Sequence, residues 1–60
     1  MNRIHAMREA SSMSQKELAN AIGVPQSLVS YWEREERTSS VVNAQKLADF
    51  FKVEIKDIFS

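Results

Sequence analysis

The sequence predicts an all-α fold, a compact five-helix bundle formed by a single domain over residues 1–60. The chain is 60 residues long and 43% hydrophobic, enough for one small core. A single Gly and a single Pro leave little room for sheet turns or disordered linkers. Apolar residues also recur at spacings of three and four, the period of helices that bury one face.

The composition excludes several classes of protein. There is no cysteine, so neither disulfides nor thiolate metal sites can hold the fold. No apolar run approaches the roughly 18 residues of a membrane span, and MNRIHAMREA lacks the apolar core of a signal peptide. We therefore expect a soluble, cytoplasmic protein. The formal net charge is zero, which argues against strong non-specific binding to nucleic acid but not against a specific reader.

The first predicted helix covers residues 2–10. Ile4 and Met7 lie three apart on it and form one narrow apolar stripe among charged residues. Ser11 and Ser12 end it, and a second helix follows directly.

A double start signal marks the beginning of the second helix. Ser14 and Glu17 have the spacing of a capping box, in which each side chain bonds the backbone N–H of the other residue. Met13 and Leu18 flank them as a hydrophobic staple. The helix is predicted over about 15–22.

A tight turn joins the second helix to a third one. Gly23 can take the left-handed conformation that closes a helix without Cβ strain. Pro25 has a φ angle suited to a first helical position, so the third helix is predicted to begin at Pro25 or Gln26 and to cover about 25–34. Its inward residues are Val29 and Trp32, and Trp32 is interpreted as core rather than as a stacking platform.

Two further helices are predicted after the charged stretch at 33–37. The fourth covers about 41–51, with cap candidates at 38–40, and a short fifth helix folds back onto the bundle. Their apolar residues are Ala44, Leu47, Ala48 and Phe51 on the fourth helix, and Val53, Ile55, Ile58 and Phe59 on the fifth. Phe50 lies off this face, so it either covers the edge of the core or joins a dimer contact.

The twenty residues from 15 to 34 have the pattern of two helices packed at a steep angle. A small residue is required where the helices cross, which is Ala19, and a glycine at the turn, which is Gly23. The shared core of the pair is Leu18, Ile22, Val24, Val29 and Trp32.

At these residues the chain resembles a known family. MSQKELANAIGVPQSLVSYWE is similar to the signature of the helix-turn-helix proteins of the XRE family, the Cro/C1-type repressors of lambdoid phages, and KLADFFKVEIKDIF resembles their closing segment. The resemblance covers almost the whole chain. It implies a lambda-repressor-like bundle whose third helix lies in the major groove of DNA while the second crosses the phosphate backbone.

The resemblance also implies which residues bind DNA. Gln15 would contact a phosphate at the start of the second helix, four residues of the third helix would read or approach bases, and two arginines after it would meet phosphates. The base-facing residues are Gln26, Ser27, Ser30 and Tyr31, and the arginines are Arg34 and Arg37. Arg8 and Glu33 correspond to residues that form a structural ion pair in the family.

Some positions depart from the family pattern. Pro25 replaces the usual serine or threonine cap of the third helix, and Lys52 replaces a usual glycine. Glu35 stands where many members have glycine, and with Glu36 it puts negative charge beside the expected phosphate path.

Simpler interpretations remain open for several residues. The DNA-facing polar residues could form an ordinary solvated surface, and Arg34 and Arg37 could pair with nearby glutamates. His5 is interpreted as solvated, and no metal site is expected because there is no cysteine and no second histidine. The serines lack a histidine partner, so no catalysis is expected.

The resulting hypothesis is a sequence-specific double-stranded DNA-binding protein, a transcriptional regulator that acts as a repressor and binds as a homodimer. The alternative is a small helical protein-interaction module, for example an antitoxin-like or regulatory-subunit partner, with little DNA binding of its own. No cofactor, small-molecule ligand or membrane is expected as a partner.

Overall fold

Five α-helices follow one another along the part of the chain that the structure, a computed structural model, describes: residues 2–36 and 39–59. They are α1 (Ile4–Ala10), α2 (Gln15–Ile22), α3 (Gln26–Glu33), α4 (Val41–Phe51) and α5 (Ile55–Ile58). These described ranges contain no strand. The all-α prediction is confirmed, and so is the number of helices. No helix in these ranges is both long and apolar enough to cross a bilayer.

A single cluster of buried side chains joins all five helices. α2 contributes three of its residues and α3 two, and Trp32 is the largest fully buried side chain. The members of the cluster are Ile4, Leu18, Ala19, Ile22, Val29, Trp32, Leu47, Ala48 and Ile58. Each large apolar side chain buried in this way stabilises a fold by about 1.5–3 kcal/mol. The predicted inward positions of α2, α3 and α4 are therefore core positions, with Phe51 only partly buried at the edge.

The predicted capping box starts α2. The backbone N–H of Glu17 donates to Ser14 Oγ over 3.0 Å, and the backbone N–H of Ser14 donates to Glu17 Oε1 over 2.8 Å. Met13 packs against the core cluster, as a hydrophobic staple requires. Ser14 and Glu17 thus define the first turn of α2.

Four helices end in the same backbone motif. After each one, an N–H donates to the carbonyl five residues earlier, the 6→1 bond of a Schellman motif. The bonds are Met13 N to Arg8 O, Val24 N to Ala19 O, Glu36 N to Tyr31 O and Val53 N to Ala48 O. The motif needs a left-handed residue, and here these residues are Ser12, Gly23, Glu35 and Lys52, with φ between 57° and 75°. Only Gly23 adopts that angle without the steric penalty of a Cβ.

The first helix begins two residues later than the sequence predicts. The side chain of Asn2 donates through Nδ2 to the carbonyl of Trp32 over 2.6 Å and accepts from the backbone N–H of Ile4 over 3.2 Å. The N–H of Arg3 donates to the carbonyl of Ile58 over 2.8 Å. Residues 2 and 3 therefore tie α1 to the end of α3 and to α5 instead of extending the helix.

Candidate nucleic-acid interface

One face of α3 is anchored in the core and the opposite face is polar. Val29 and Trp32 are 0% and 1% exposed. The predicted base-facing residues occupy the other side at helical spacing: Gln26 and Ser27 are exposed, and Ser30 and Tyr31 are half-buried. The buried face fixes the rotation of α3 about its axis, so these four side chains are presented together.

The amino end of α3 has no side-chain cap. Pro25 is the N-cap residue, with φ −64° and ψ 146°, and makes no side-chain capping bond. The helix proper starts at Gln26, one of the two predicted first residues, and ends at Glu33, one residue before the predicted end. Since a helix amino end carries partial positive charge and unpaired N–H groups, this end of α3 is chemically suited to an anionic ligand.

The carboxyl end of α3 carries an exposed arginine between two partners. The Arg34 guanidinium lies 5.4 Å from the centre of the Tyr31 ring, and its Nη2 lies 3.2 Å from Glu36 Oε1. Both charged side chains of that ion pair are 55% exposed, so the pair contributes about 0–1 kcal/mol. The structure thus gives Arg34 the surface pairing considered as its simpler role. Arg37, the other predicted phosphate contact, lies outside the described residues.

The ion pair expected between Arg8 and Glu33 is present and nearly buried. Arg8 Nε donates to Glu33 Oε2 over 2.7 Å and Arg8 Nη2 donates to Oε1 over 3.1 Å. The side chains are 11% and 6% exposed. Arg8 Nη1 also donates to the carbonyl of Met13 over 2.8 Å. One guanidinium therefore connects α1 to the end of α3 and to the segment before α2.

These contacts shift both ionisation equilibria in favour of the charged pair. Burial alone raises the pKa of the Glu33 carboxyl, but the hydrogen bonds that it accepts, first of all from Arg8, and the charge of Arg8 outweigh this effect. The pKa of Glu33 therefore lies below its ordinary value. The hydrogen bond to Glu33 raises the pKa of Arg8, against the effect of burial.

Two further side chains reach the Glu33 carboxylate, and the sequence reasoning missed both contacts. Gln15 Nε2 donates to Glu33 Oε1 over 3.2 Å, and His5 Nδ1 lies 3.0 Å from the same oxygen. His5 Nε2 lies 3.1 Å from Glu9 Oε1 on the next turn of α1. His5 is exposed, as expected, but it is not merely solvated. The only signal in the sequence was the spacing of His5, Arg8 and Glu9 on one side of α1.

The predicted DNA-binding residues differ in whether their side chains already have partners within the protein. The side chains of Gln26 and Ser27 make no hydrogen bond within the described residues, whereas those of Gln15 and Arg34 each have a protein partner. In these same ranges, no group of three or more His, Asp or Glu residues is arranged to hold a metal ion. The exposed side chains of Gln26 and Ser27 offer polar donors and acceptors for recognition.

The chain was compared with protein families and with curated proteins. No curated protein matches the chain significantly. Residues 4–58, nearly its full length, match a family model described as helix-turn-helix. This range includes α2, the turn at Gly23 and α3, and it extends through α5. The chain therefore belongs to the Cro/C1-type helix-turn-helix family of DNA-binding transcription regulators.

Proposed function

We propose that this protein binds double-stranded DNA in a sequence-specific manner, with α3 in the major groove, and represses transcription. The observation that carries the proposal is the polar row on α3, held outward by the buried residues Val29 and Trp32. Its members are Gln26, Ser27, Ser30 and Tyr31. An α-helix fits the major groove, where base edges present distinct patterns of donors and acceptors.

The side chains of this row suit different parts of the groove. Gln26 both donates and accepts, so it can pair with adenine in a bidentate manner, a contact that contributes about 1–3 kcal/mol of base discrimination. Ser27 is short and less selective. Tyr31 either donates its hydroxyl to a phosphate or places its ring against a thymine methyl group.

The charge distribution favours selective binding over tight non-specific binding. The net charge is zero, and Glu35 and Glu36 lie exposed directly after α3. Non-specific affinity depends on cations that neutralise phosphates, so it is expected to be weak. Contacts to base edges must then supply much of the preference for one site.

A homodimer follows from the small size of the reading element. A single helix of eight residues reaches only a few base pairs. Two copies on half-sites about one helical turn, roughly 34 Å, apart double the sequence that is read. Light scattering with and without a palindromic duplex tests this: a complex of two chains per duplex is expected, and one chain per palindrome contradicts it.

The decisive experiment is a selection of bound duplexes from a random pool. A palindromic consensus is expected, together with an affinity that falls steeply as salt rises. Repression is tested by placing the consensus across a promoter: expression of a reporter should fall when the protein is present. Failure to enrich any sequence would contradict the proposal.

A second candidate function is a protein-interaction module. The observation that favours it is the exposure of three large apolar side chains on α4: Val41 is 80% exposed, Val42 66% and Phe50 38%. Exposed apolar side chains are a feature of contact surfaces. A partner recovered in stoichiometric complex, with no duplex retained at low salt, would favour this candidate.

A further inference from the structure

We propose that Glu33 is a positioning residue for DNA binding: it holds the side-chain amide of Gln15 in the orientation that can donate to a phosphate. This inference rests on the proposed function. It assigns to Glu33 a role beyond its ion pair with Arg8, because the same carboxylate also accepts from Gln15 over 3.2 Å.

The two oxygens of the Glu33 carboxylate have different partners. Oε2 accepts from Arg8 Nε, while Oε1 accepts from Arg8 Nη2 and Gln15 Nε2. Arg8 therefore fixes the plane of the carboxylate, and Oε1 remains directed at the start of α2. With the Glu33 side chain only 6% exposed, water competes little for this oxygen.

His5 approaches the same oxygen, but it does not replace Gln15. His5 Nδ1 lies 3.0 Å from Glu33 Oε1 and 2.9 Å from Arg8 Nη2. An arginine nitrogen can only donate, so His5 Nδ1 must be the unprotonated acceptor in its bond with Arg8. Without a proton, the same Nδ1 cannot donate to Glu33. In that tautomer, Arg8 and Gln15 are the two donors to Oε1.

A carboxylate only accepts hydrogen bonds, so it selects one of the two orientations of a glutamine amide. With Nε2 toward Glu33, one N–H of Gln15 is engaged and the second remains. A phosphodiester also only accepts, so this second N–H is the group of the amide that a phosphate can use. The reversed amide would place its oxygen against the carboxylate, which is repulsive.

The location of Gln15 makes this orientation relevant to DNA. Gln15 is the first residue of α2, directly after the Ser14 cap, and α2 is the helix expected to cross the phosphate backbone. Its side chain is long and flexible, and ordering such a side chain opposes binding. Because Glu33 already holds the amide in the free protein, the contact forms with less loss of freedom.

A double-mutant cycle separates positioning from mere stabilisation. The first background is Arg8→Met/Glu33→Met, which replaces the ion pair by apolar side chains and removes the acceptor for Gln15 without leaving a buried charge. The matched control is Glu54→Met/Lys56→Met, which removes an exposed ion pair of 3.4 Å between Glu54, the N-cap residue of α5, and Lys56. The Kd for the selected duplex is measured in each background with and without Gln15→Ala.

Positioning predicts that Gln15→Ala weakens binding about fivefold in the parent and in the control, the scale of ordering one flexible side chain. In the Arg8→Met/Glu33→Met background the same substitution should change the Kd by less than about twofold. An undiminished loss there overturns the inference and leaves the proposed function intact. If the parent protein binds no duplex, both the proposed function and this inference are overturned.

A second measurement needs no DNA. The side-chain amide signals of Gln15 in a ¹⁵N–¹H NMR spectrum should shift in the Arg8→Met/Glu33→Met protein and stay in place in the control. Unchanged signals would show that the bond is not formed in solution, which overturns the inference.

If thermal melts show that the double methionine variant is unfolded, Glu33→Gln takes its place, since it removes one acceptor oxygen and keeps the size of the side chain.

Discussion

The two ends of α3 are held in opposite ways. At the amino end, Pro25 makes no capping bond, and the exposed side chains of Gln26 and Ser27 make no hydrogen bond within the described residues. At the carboxyl end, the nearly buried carboxylate of Glu33 receives bonds from α1 and α2, and the carbonyl of Trp32 accepts from Asn2. The helix is anchored at its far end, which leaves the side chains of its first turn available to a ligand.

The largest expected effect comes from breaking the anchored end. Glu33→Ala leaves the Arg8 guanidinium nearly buried without its partner, and removal of one member of such a pair costs about 3–5 kcal/mol. Urea unfolding measures the loss. The control is Glu36→Ala, an exposed carboxylate in the same charged stretch, expected to change stability by at most about 1 kcal/mol. Equal stabilities of the two variants would contradict the importance of the anchor.

Low pH should reduce the contribution of Glu33 to folding stability, but by less than Glu33→Ala does, since a protonated Glu33 still makes hydrogen bonds. The pKa of Glu33 is lowered in the folded state, so its contribution to stability is complete above its ordinary, unfolded-state pKa. That contribution is lost as the pH falls through the folded-state pKa. Unfolding free energies measured from pH 6 downward should therefore decline less in Arg8→Met/Glu33→Met than in the parent. Parallel curves would exclude Glu33 as a source of the acid sensitivity.

Substitutions at the open end should change recognition more than stability. Gln26→Ala should relax the preference at one base position by about 1–3 kcal/mol, whereas Arg37→Ala should weaken binding to all sequences alike. Affinities for the consensus duplex and its single-base variants distinguish the two patterns. An unchanged preference in Gln26→Ala would refute the assignment of α3 as the reading helix.

The smallest effect is expected at the missing cap. Pro25 has the extended backbone of an N-cap residue, so a serine fits there and can bond to the first turn of α3. Pro25→Ser should be more stable than Pro25→Ala by about 1 kcal/mol, and because both lack proline, the difference isolates the cap. Thermal melts of the two variants give the value. If the alanine variant is equally stable, the first turn is already satisfied by water.

The sequence was sufficient wherever local chemistry decides the structure. Ser14 and Glu17 form the capping box that their spacing predicts, and Gly23 adopts the left-handed angle of the turn. Apolar spacing placed Val29 and Trp32 in the core, because a helix with one apolar stripe must bury it. All of these features depend on residues a few positions apart.

The features that the sequence did not reveal depend on contacts between distant residues. Gln15 and Glu33 are 18 residues apart, and His5 and Glu33 are 28 apart, so their contacts depend on how three helices pack. The late start of α1 has the same origin, since Asn2 bonds to a carbonyl 30 residues away. Whether Gln26, Ser27, Ser30 and Tyr31 meet bases stays a prediction, because that contact depends on a partner molecule.

The four helix ends with a left-handed residue show where the fold could be made more stable. Serine, glutamate and lysine occupy three positions where glycine avoids a steric penalty of about 1–2 kcal/mol, a large sum beside the total stability of a small domain. Lys52 follows α4 and is not one of the predicted DNA-contacting residues, so a glycine at this position should raise the melting temperature without altering which sequence is read. Glu35→Gly would have two effects. It would remove the backbone strain of the left-handed angle, and it would remove a negative charge beside the expected phosphate path. One substitution at this position would thus change both the folding stability and the affinity for DNA.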